Sequence, residues 1–315
     1  MKDIDNSSVS INLNDPMDFK EFFNILMSGK WIILSITTFF SIIGIAYSLS
    51  LPNIYESKAL LVSSKPSNQS GIVQNYAGLA SIAGIDISSE SPKTNAEQAI
   101  EKLNSLSFFE SYFLPNIFLP DLMGFKSWDS SSNMLKYDAK LYNEKSDSWV
   151  RDFSYPQKQI PSAQESFNIF KEKHLSISVD KKTNFLTVKI KHQSPYVAKE
   201  WNKVLIDQIN SFYRKKDKNE AERASDYLNS LLIRTNLSEI KQSIALLLQQ
   251  ETQKLTLIEA SEFYVYEFID PPVVMEKKSE PQRSLICILA AAFGAMLGIL
   301  YILVRHYAFN EEFKT

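Results

Sequence analysis

Two stretches of the chain, Trp31 to Leu51 and Leu285 to Val304, contain no charged residue. Each is long enough to cross a bilayer as a helix, since about 20 residues rising 1.5 Å apiece match the roughly 30 Å of hydrocarbon. The first carries seven Ser, Thr or Gly residues among its 21, whereas the second is apolar at 18 of 20 positions and bracketed by Arg283 and Arg305. A cleaved signal peptide is the competing reading of the first stretch. It fits poorly, because the apolar run exceeds the roughly 7 to 15 residues of a signal core and the preceding leader is acidic. The pattern therefore predicts an N-terminal segment 1–30, a first span 31–51, a domain 52–284, a second span 285–304 and a tail 305–315.

Between the spans the periodicity changes several times. Tyr55 to Ser64, with Ala59, Leu60, Leu61 and Val62, reads as a buried strand starting close to the membrane. Residues 63–93 are rich in Ser, Asn and Gly and include the small-residue run Tyr76 to Ile85, which suits either close backbone approach or a loop with a short helix. Thr94 with Glu97 forms a capping box, and Ala99, Ile100, Leu103 and Leu106 carry helical spacing on to about Phe113. Four prolines in residues 114–161 predict irregular surface connections. Ser162 to Lys173 then reads as a helix. Leu175 to Val179 and Phe185 to Ile190 alternate with period two around Asp180-Lys181-Lys182-Thr183-Asn184, a hairpin signature.

After Pro195 no further Pro or Gly occurs until past Phe263, and apolar residues recur at helical spacing from Val197 through Trp201, Ile209 and Leu231 to Ile258. A continuous helix over about 195–263 would be roughly 100 Å long. No globule of this size can bury it, so it must project from the membrane or bend back on itself. Its middle, Arg214 to Arg223, holds eight charged residues in ten, which suits a solvated helix face or a subunit interface whose alternating charge sets register. Tyr264 to Asp270 returns to strand character before Pro271-Pro272 and is expected to pair with the strand that follows the first span. The fold class predicted is α+β: a membrane-proximal sheet and a long extended helix, anchored by two transmembrane helices.

Charge changes this picture little. The net charge of −2 removes the electrostatic case for a nucleic-acid partner. Lys and Arg within about 15 residues of the spans number four on the terminal side and five on the domain side, so the positive-inside rule does not choose an orientation. Cytoplasmic termini and an exported domain are preferred, because an N-terminal anchor can export a long domain largely regardless of its charge. The one cysteine, Cys287, lies inside the second span, so the domain must be stabilised by packing rather than by disulfides.

No catalytic constellation emerges, and neither a metal nor a cofactor is called for. His174, His192 and His306 have no partners at metal-ligand spacing, and the first two, flanking the hairpin, are expected at the surface. Gly29-Lys30 lacks the rest of a phosphate-binding loop, and no Gly-x-Ser-x-Gly occurs. The 11-residue tail leaves no room for the cytosolic output module of a receptor or sensor kinase. Gly294 and Gly298 in the second span form a G-x-x-x-G, with Ala290 extending the small face, a pattern that lets membrane helices approach closely.

Several segments together resemble the Wzz-type polysaccharide co-polymerases, the O-antigen chain-length determinants. They are Asp15-Pro16-Met17-Asp18, Leu51-Pro52-Asn53-Ile54-Tyr55, Asp180 to Asn184, Asp270-Pro271-Pro272, and Lys278 to Arg283 followed by a span with Gly294 and Gly298. Gln282 separates Pro281 from Arg283, where many members set proline beside the basic residue. The resemblance implies a bacterial inner-membrane protein with a periplasmic domain and a closed homo-oligomeric ring. It also implies a separate membrane polymerase as partner, with lipid-linked glycan nearby. The missing nucleotide motif is similar to the kinase-free class, so the chain is expected not to be an enzyme. Pro281, Arg283, Gly294 and Gly298 are the implied positions of span packing or polymerase contact. An adaptor coupling an inner-membrane exporter to an outer-membrane channel is the alternative from another class.

Overall fold

The computed structural model describes residues 19–64 and 95–309. The motif Asp15 to Asp18, the run Tyr76 to Ile85 and the cap at Thr94 lie outside the described residues. The chain falls into two units, one formed by Met1–Pro52 with Glu280–Thr315 and the other by Asn53–Ser279.

The first unit contains the two apolar helices, Lys30–Ser50 and Arg283–Phe309, preceded by a short helix Phe19–Ser28. Only 11% and 17% of their most apolar windows are buried. Core helices of a water-soluble protein bury such faces, so these surfaces suit lipid. The helices run antiparallel and meet on small residues. A Cβ placed on Gly44 would lie 2.5 Å from the Ala290 Cβ, and one on Gly294 would lie 2.9 Å from the Phe40 Cβ.

The second unit is built on a four-stranded antiparallel sheet in the order β6-β7-β1-β8. Its strands are β1 (Tyr55–Ser63), β6 (Leu175–Val179), β7 (Leu186–His192) and β8 (Tyr266–Asp270). Between β1 and β6 lie the small hairpins β2 (Phe125–Asp129) with β3 (Met134–Tyr137) and β4 (Tyr142–Asn143) with β5 (Ser148–Trp149). These replace part of the irregular connection expected over 114–161. The central pair is in the register Tyr55↔His192, Ser57↔Ile190 and Ala59↔Val188, which sends Ala59, Leu61, Leu186, Val188 and Ile190 into one core. The outer face carries Lys58 opposite Lys189, and Lys189 pairs with Glu56 at 2.8 Å.

The helices of this unit are α1 (Asn95–Leu103), α2 (Leu119–Met123), α3 (Ala163–Ile169), α4 (Pro195–Arg234) and α5 (Ser238–Ala260). The first part of α4 covers the sheet with Trp201, Leu205, Ile206 and Ile209, all fully buried. Two buried asparagines bind α4 to strand backbones. Asn202 donates to the carbonyls of Ser57 at 2.9 Å and Val188 at 3.2 Å, while Asn210 accepts the N–H groups of Val265 and Tyr266 and donates to the Tyr266 carbonyl. Phe108, Phe109, Phe113 and Phe170 fill the remaining side of the core.

Two expected helices are interrupted. The helix expected to reach Phe113 stops at Leu103, because the Ser105 side chain accepts the Phe108 N–H and starts a new helical stretch. The long helix expected over about 195–263 is two helices separated by Thr235–Leu237, where Thr235 (ψ 129) and Leu237 (ψ 121) are extended. Thr and Asn form helix weakly because their side chains compete for backbone hydrogen bonds. Turning back there also buries Ile244 and Ile258, which a single rod would leave in water. The charged middle of α4 holds the returning arm. Lys218 pairs with Glu259, Arg214 donates to the Ser261 and Glu262 carbonyls, and the Tyr264 hydroxyl donates to Asp217.

Candidate functional site

Gly294 and Gly298 lie on the face of the second apolar helix that meets the first. A Cβ on Gly294 would also sit 3.0 Å from the Thr37 Cα, and one on Gly298 would sit 3.1 Å from the Ile33 Cα. Contacts this close exclude a larger side chain unless the helices separate. The first helix reciprocates, since a Cβ on Gly29 would run into the Ile302 side chain and Gly44 faces Ala290. In the sequence Gly29 enters only as part of an incomplete phosphate-binding loop, and Gly44 belongs to no motif. Their signal was diluted there by the Ser and Thr residues around them. Phe40 and Phe293 close the contact edge to face, with ring centroids 5.7 Å apart.

Pro281 and Arg283 are not brought to these glycines. Arg283 opens the second apolar helix and its N–H donates to the Pro281 carbonyl at 2.9 Å. Gly294 follows eleven residues later, about 17 Å along the axis. The four positions therefore form two places, a helix entrance and a helix contact.

A second cluster lies where β7 hands the chain to α4. His174 and His192, expected at the surface, are instead 8% and 2% exposed, with ring centroids 5.7 Å apart and Trp201 packed against both. His192 continues the inward series Leu186, Val188, Ile190 of β7, and that period-two pattern was the available signal. Its Nδ1 accepts the Ser194 N–H at 3.0 Å, so its proton is on Nε2, 3.3 Å from the Asp121 carbonyl oxygen. His174 donates from Nδ1 to the Lys191 carbonyl at 2.7 Å. Burial pushes the His192 imidazolium down to about 3, with the neighbouring His174 adding to the shift; burial likewise lowers His174. Both rings are neutral at pH 7 and their hydrogen bonds run to backbone groups, with aromatic rings packed around them, an arrangement that fixes the start of α4.

Asp121 is also half-buried beside this cluster. Burial raises its carboxyl, opposed by the hydrogen bond from the Tyr137 hydroxyl at 2.7 Å, while Glu200 raises it further. Among the described residues, no group of three His, Cys, Asp or Glu side chains is placed to hold a metal ion.

Two family models match the chain. The chain length determinant protein model (Wzz) covers residues 15–113, and the model for the G-rich domain on putative tyrosine kinase (GNVR) covers residues 236–307. Together they take in both apolar helices and just over half of the chain. The chain thus carries a Wzz chain length determinant match over its N-terminal third and a GNVR match toward its C-terminus. The two matches converge in space, because β1 comes from one and β8 from the other and the two strands are paired. The unmatched segment between them holds the small hairpins, β6, β7 and α4. Among solved structures, a full-length bacterial polysaccharide co-polymerase is 15% identical over 95% of this chain and 100% of its own, with a TM-score of 0.41. A fragment of WzzB, polysaccharide co-polymerase from Salmonella Typhimurium, is 13% identical over 72% of this chain and 100% of its own, with a TM-score of 0.28. No curated protein matches the chain.

Proposed function

We propose that the chain regulates the length of a bacterial surface polysaccharide, lipopolysaccharide O-antigen or a related polymer, without catalysing its synthesis. It acts from the inner membrane, with both termini cytoplasmic and the Asn53–Ser279 unit periplasmic, as a homo-oligomeric ring beside a separate polymerase. The observation that carries this reading is the pair of family matches, each containing one apolar helix and one of two neighbouring strands. The non-catalytic assignment is supported by buried histidines that face only backbone and aromatic groups, and by a sequence without a phosphate-binding loop. GNVR domains are described on putative tyrosine kinases, but no kinase motif accompanies this one within the 315 residues.

Within this reading, Gly294 and Gly298 serve span packing, and Pro281 with Arg283 forms the helix entrance at which a polymerase contact is placed. The double substitution Gly294→Leu and Gly298→Leu should shift or abolish the modal polymer length while the periplasmic unit keeps its circular dichroism spectrum. An unchanged ladder on a polysaccharide gel counts against the role of span packing. The back-folded α4–α5 arm favours the adaptor reading, since adaptors also use paired helices. Loss of the gene separates the two: altered polymer length supports a co-polymerase, and sensitivity to exported compounds with an unaltered ladder supports an adaptor.

A further inference from the structure

The loop between β5 and α3 carries aromatic rings that the core does not absorb. Tyr155 is 90% exposed and Phe153 43%, and the two rings meet edge to face with centroids 5.9 Å apart. At the foot of the loop Trp149 packs on Tyr142 with centroids 5.4 Å apart, so the loop rises from an aromatic base.

This loop is held rather than loose. At its entrance the Val150 N–H donates to the Leu141 carbonyl at 3.0 Å, and at its exit the Ser162 side chain caps α3 by accepting the Glu165 N–H at 3.2 Å. Arg151 closes the neck between them. Its Nη2 donates to the Lys158 carbonyl at 2.6 Å and its Nε to the Gln159 carbonyl at 2.9 Å, while the same guanidinium grips both carboxylate oxygens of Glu165. A bidentate pair of this kind fixes geometry as well as adding energy. The Gln157 N–H donates to the Ser154 carbonyl at 2.9 Å, which makes a tight turn with Tyr155 in its middle. Both exposed rings are therefore presented on a clamped backbone, and rigid aromatic rings supply contact area at little cost in conformational entropy.

The chemistry around the rings selects a partner. Asp152, Ser154, Gln157 and Gln159 are all exposed, so the rings of Phe153 and Tyr155 stand among hydrogen-bonding side chains. The apolar area is thus divided into single rings, unlike the contiguous apolar centre of a protein interface. Asp152 and Lys158 balance one another, which leaves no attraction for a strongly charged partner. A pyranose matches this surface. Its slightly positive C–H face lies on the negative face of an aromatic ring, and its hydroxyls meet the polar side chains between the rings.

We propose that the clamped loop 150–160 is a glycan-binding site, with Tyr155 and Phe153 stacking on sugar rings and Asp152, Ser154, Gln157 and Gln159 hydrogen-bonding to their hydroxyls. The choice of ligand rests on the polysaccharide reading above and deepens it, because the domain then holds the polymer directly. The loop lies outside residues 15–113 and 236–307, so neither family match assigns it a role.

The test uses the full-length chain in nanodiscs, with the source strain's surface polysaccharide, released from its lipid by mild acid, as the probe. Wild type should bind the polysaccharide in a titration and transfer saturation to its sugar protons in difference NMR. Tyr155→Ala combined with Phe153→Ala should weaken binding by at least about tenfold, whereas Tyr155→Phe should retain it, because the ring face makes the contact. Both positions are exposed, so the circular dichroism of the variants should match wild type. Absence of binding by wild type, or equal affinity in wild type and the double variant, overturns the proposal. A double variant that changes oligomer size but not glycan affinity also overturns it, and gives the surface to a second copy of the chain. Complementation of a strain lacking the gene reads length control separately. A restored modal length without polysaccharide binding removes this site and leaves that reading standing; binding lost in the double variant, with no modal length restored by wild type, keeps the site and removes that reading.

Discussion

Acidification should weaken the periplasmic unit through His192. In the native structure its Nδ1 accepts a backbone N–H and its Nε2–H points to a carbonyl, so a second proton would set donor against donor in a site only 2% exposed. The native ring protonates near pH 3 and the unfolded ring near 6.5. Because the native pKa is depressed, the unfolded state binds the extra proton first, and stability falls as pH drops through 6.5 and goes on falling to about 3. Between pH 7 and pH 5 the loss from His192 alone is about 2 kcal/mol, from a limiting slope of about 1.4 kcal/mol per pH unit. His174 acts in the same direction, and Asp121, whose carboxyl is raised, acts in the opposite one. The difference between wild type and His192→Gln isolates the contribution. Guanidinium titrations of the detergent-solubilised chain at pH 7 and pH 5, read by tryptophan emission, should show a smaller pH dependence in the variant. Equal pH dependence in the two proteins refutes the assignment of a neutral, buried His192.

Three further outcomes follow from packing. Ile33→Cys combined with Gly298→Cys, in a Cys287→Ser background, should form a disulfide within one chain, since a Cβ on Gly298 would sit 3.5 Å from that of Ile33; a product that runs only as a dimer on a non-reducing gel contradicts the antiparallel span pair. Trp201→Ala should cost about 3 to 5 kcal/mol of unfolding free energy, because the ring is fully buried against Phe170 and both histidines. Asn210→Leu should cost about 3 kcal/mol by leaving the Val265 and Tyr266 N–H groups without their acceptor, and hydrogen exchange at those two amides should accelerate first.

The elements set by simple periodicity were legible in the sequence. The two apolar helices, β1, the β6–β7 hairpin and the return strand β8 follow from hydrophobic runs and alternation, and the pairing of β1 with β8 follows from two short tethers to one membrane. What sequence could not place was decided by tertiary contacts. Nothing between Pro195 and Phe263 forbids a continuous helix, and the break at Thr235–Leu237 becomes favourable only when α5 can bury Ile244 and Ile258 against α4. His192 was misplaced because imidazole is read as polar, although its register in β7 puts it on the core side. At the span contact the G-x-x-x-G was visible, but its partner surface was not. Gly29 and Gly44 are fifteen residues apart and form no motif until the second helix lies across them.

Length control itself is tested most directly in the source strain lacking this gene, complemented with the full-length chain or with an empty vector. The surface polysaccharide is resolved by size on a gel. Restoration of a defined modal length by the chain, against a broad or shortened distribution with the vector, is the expected result. An identical size distribution in the two strains would contradict the assignment.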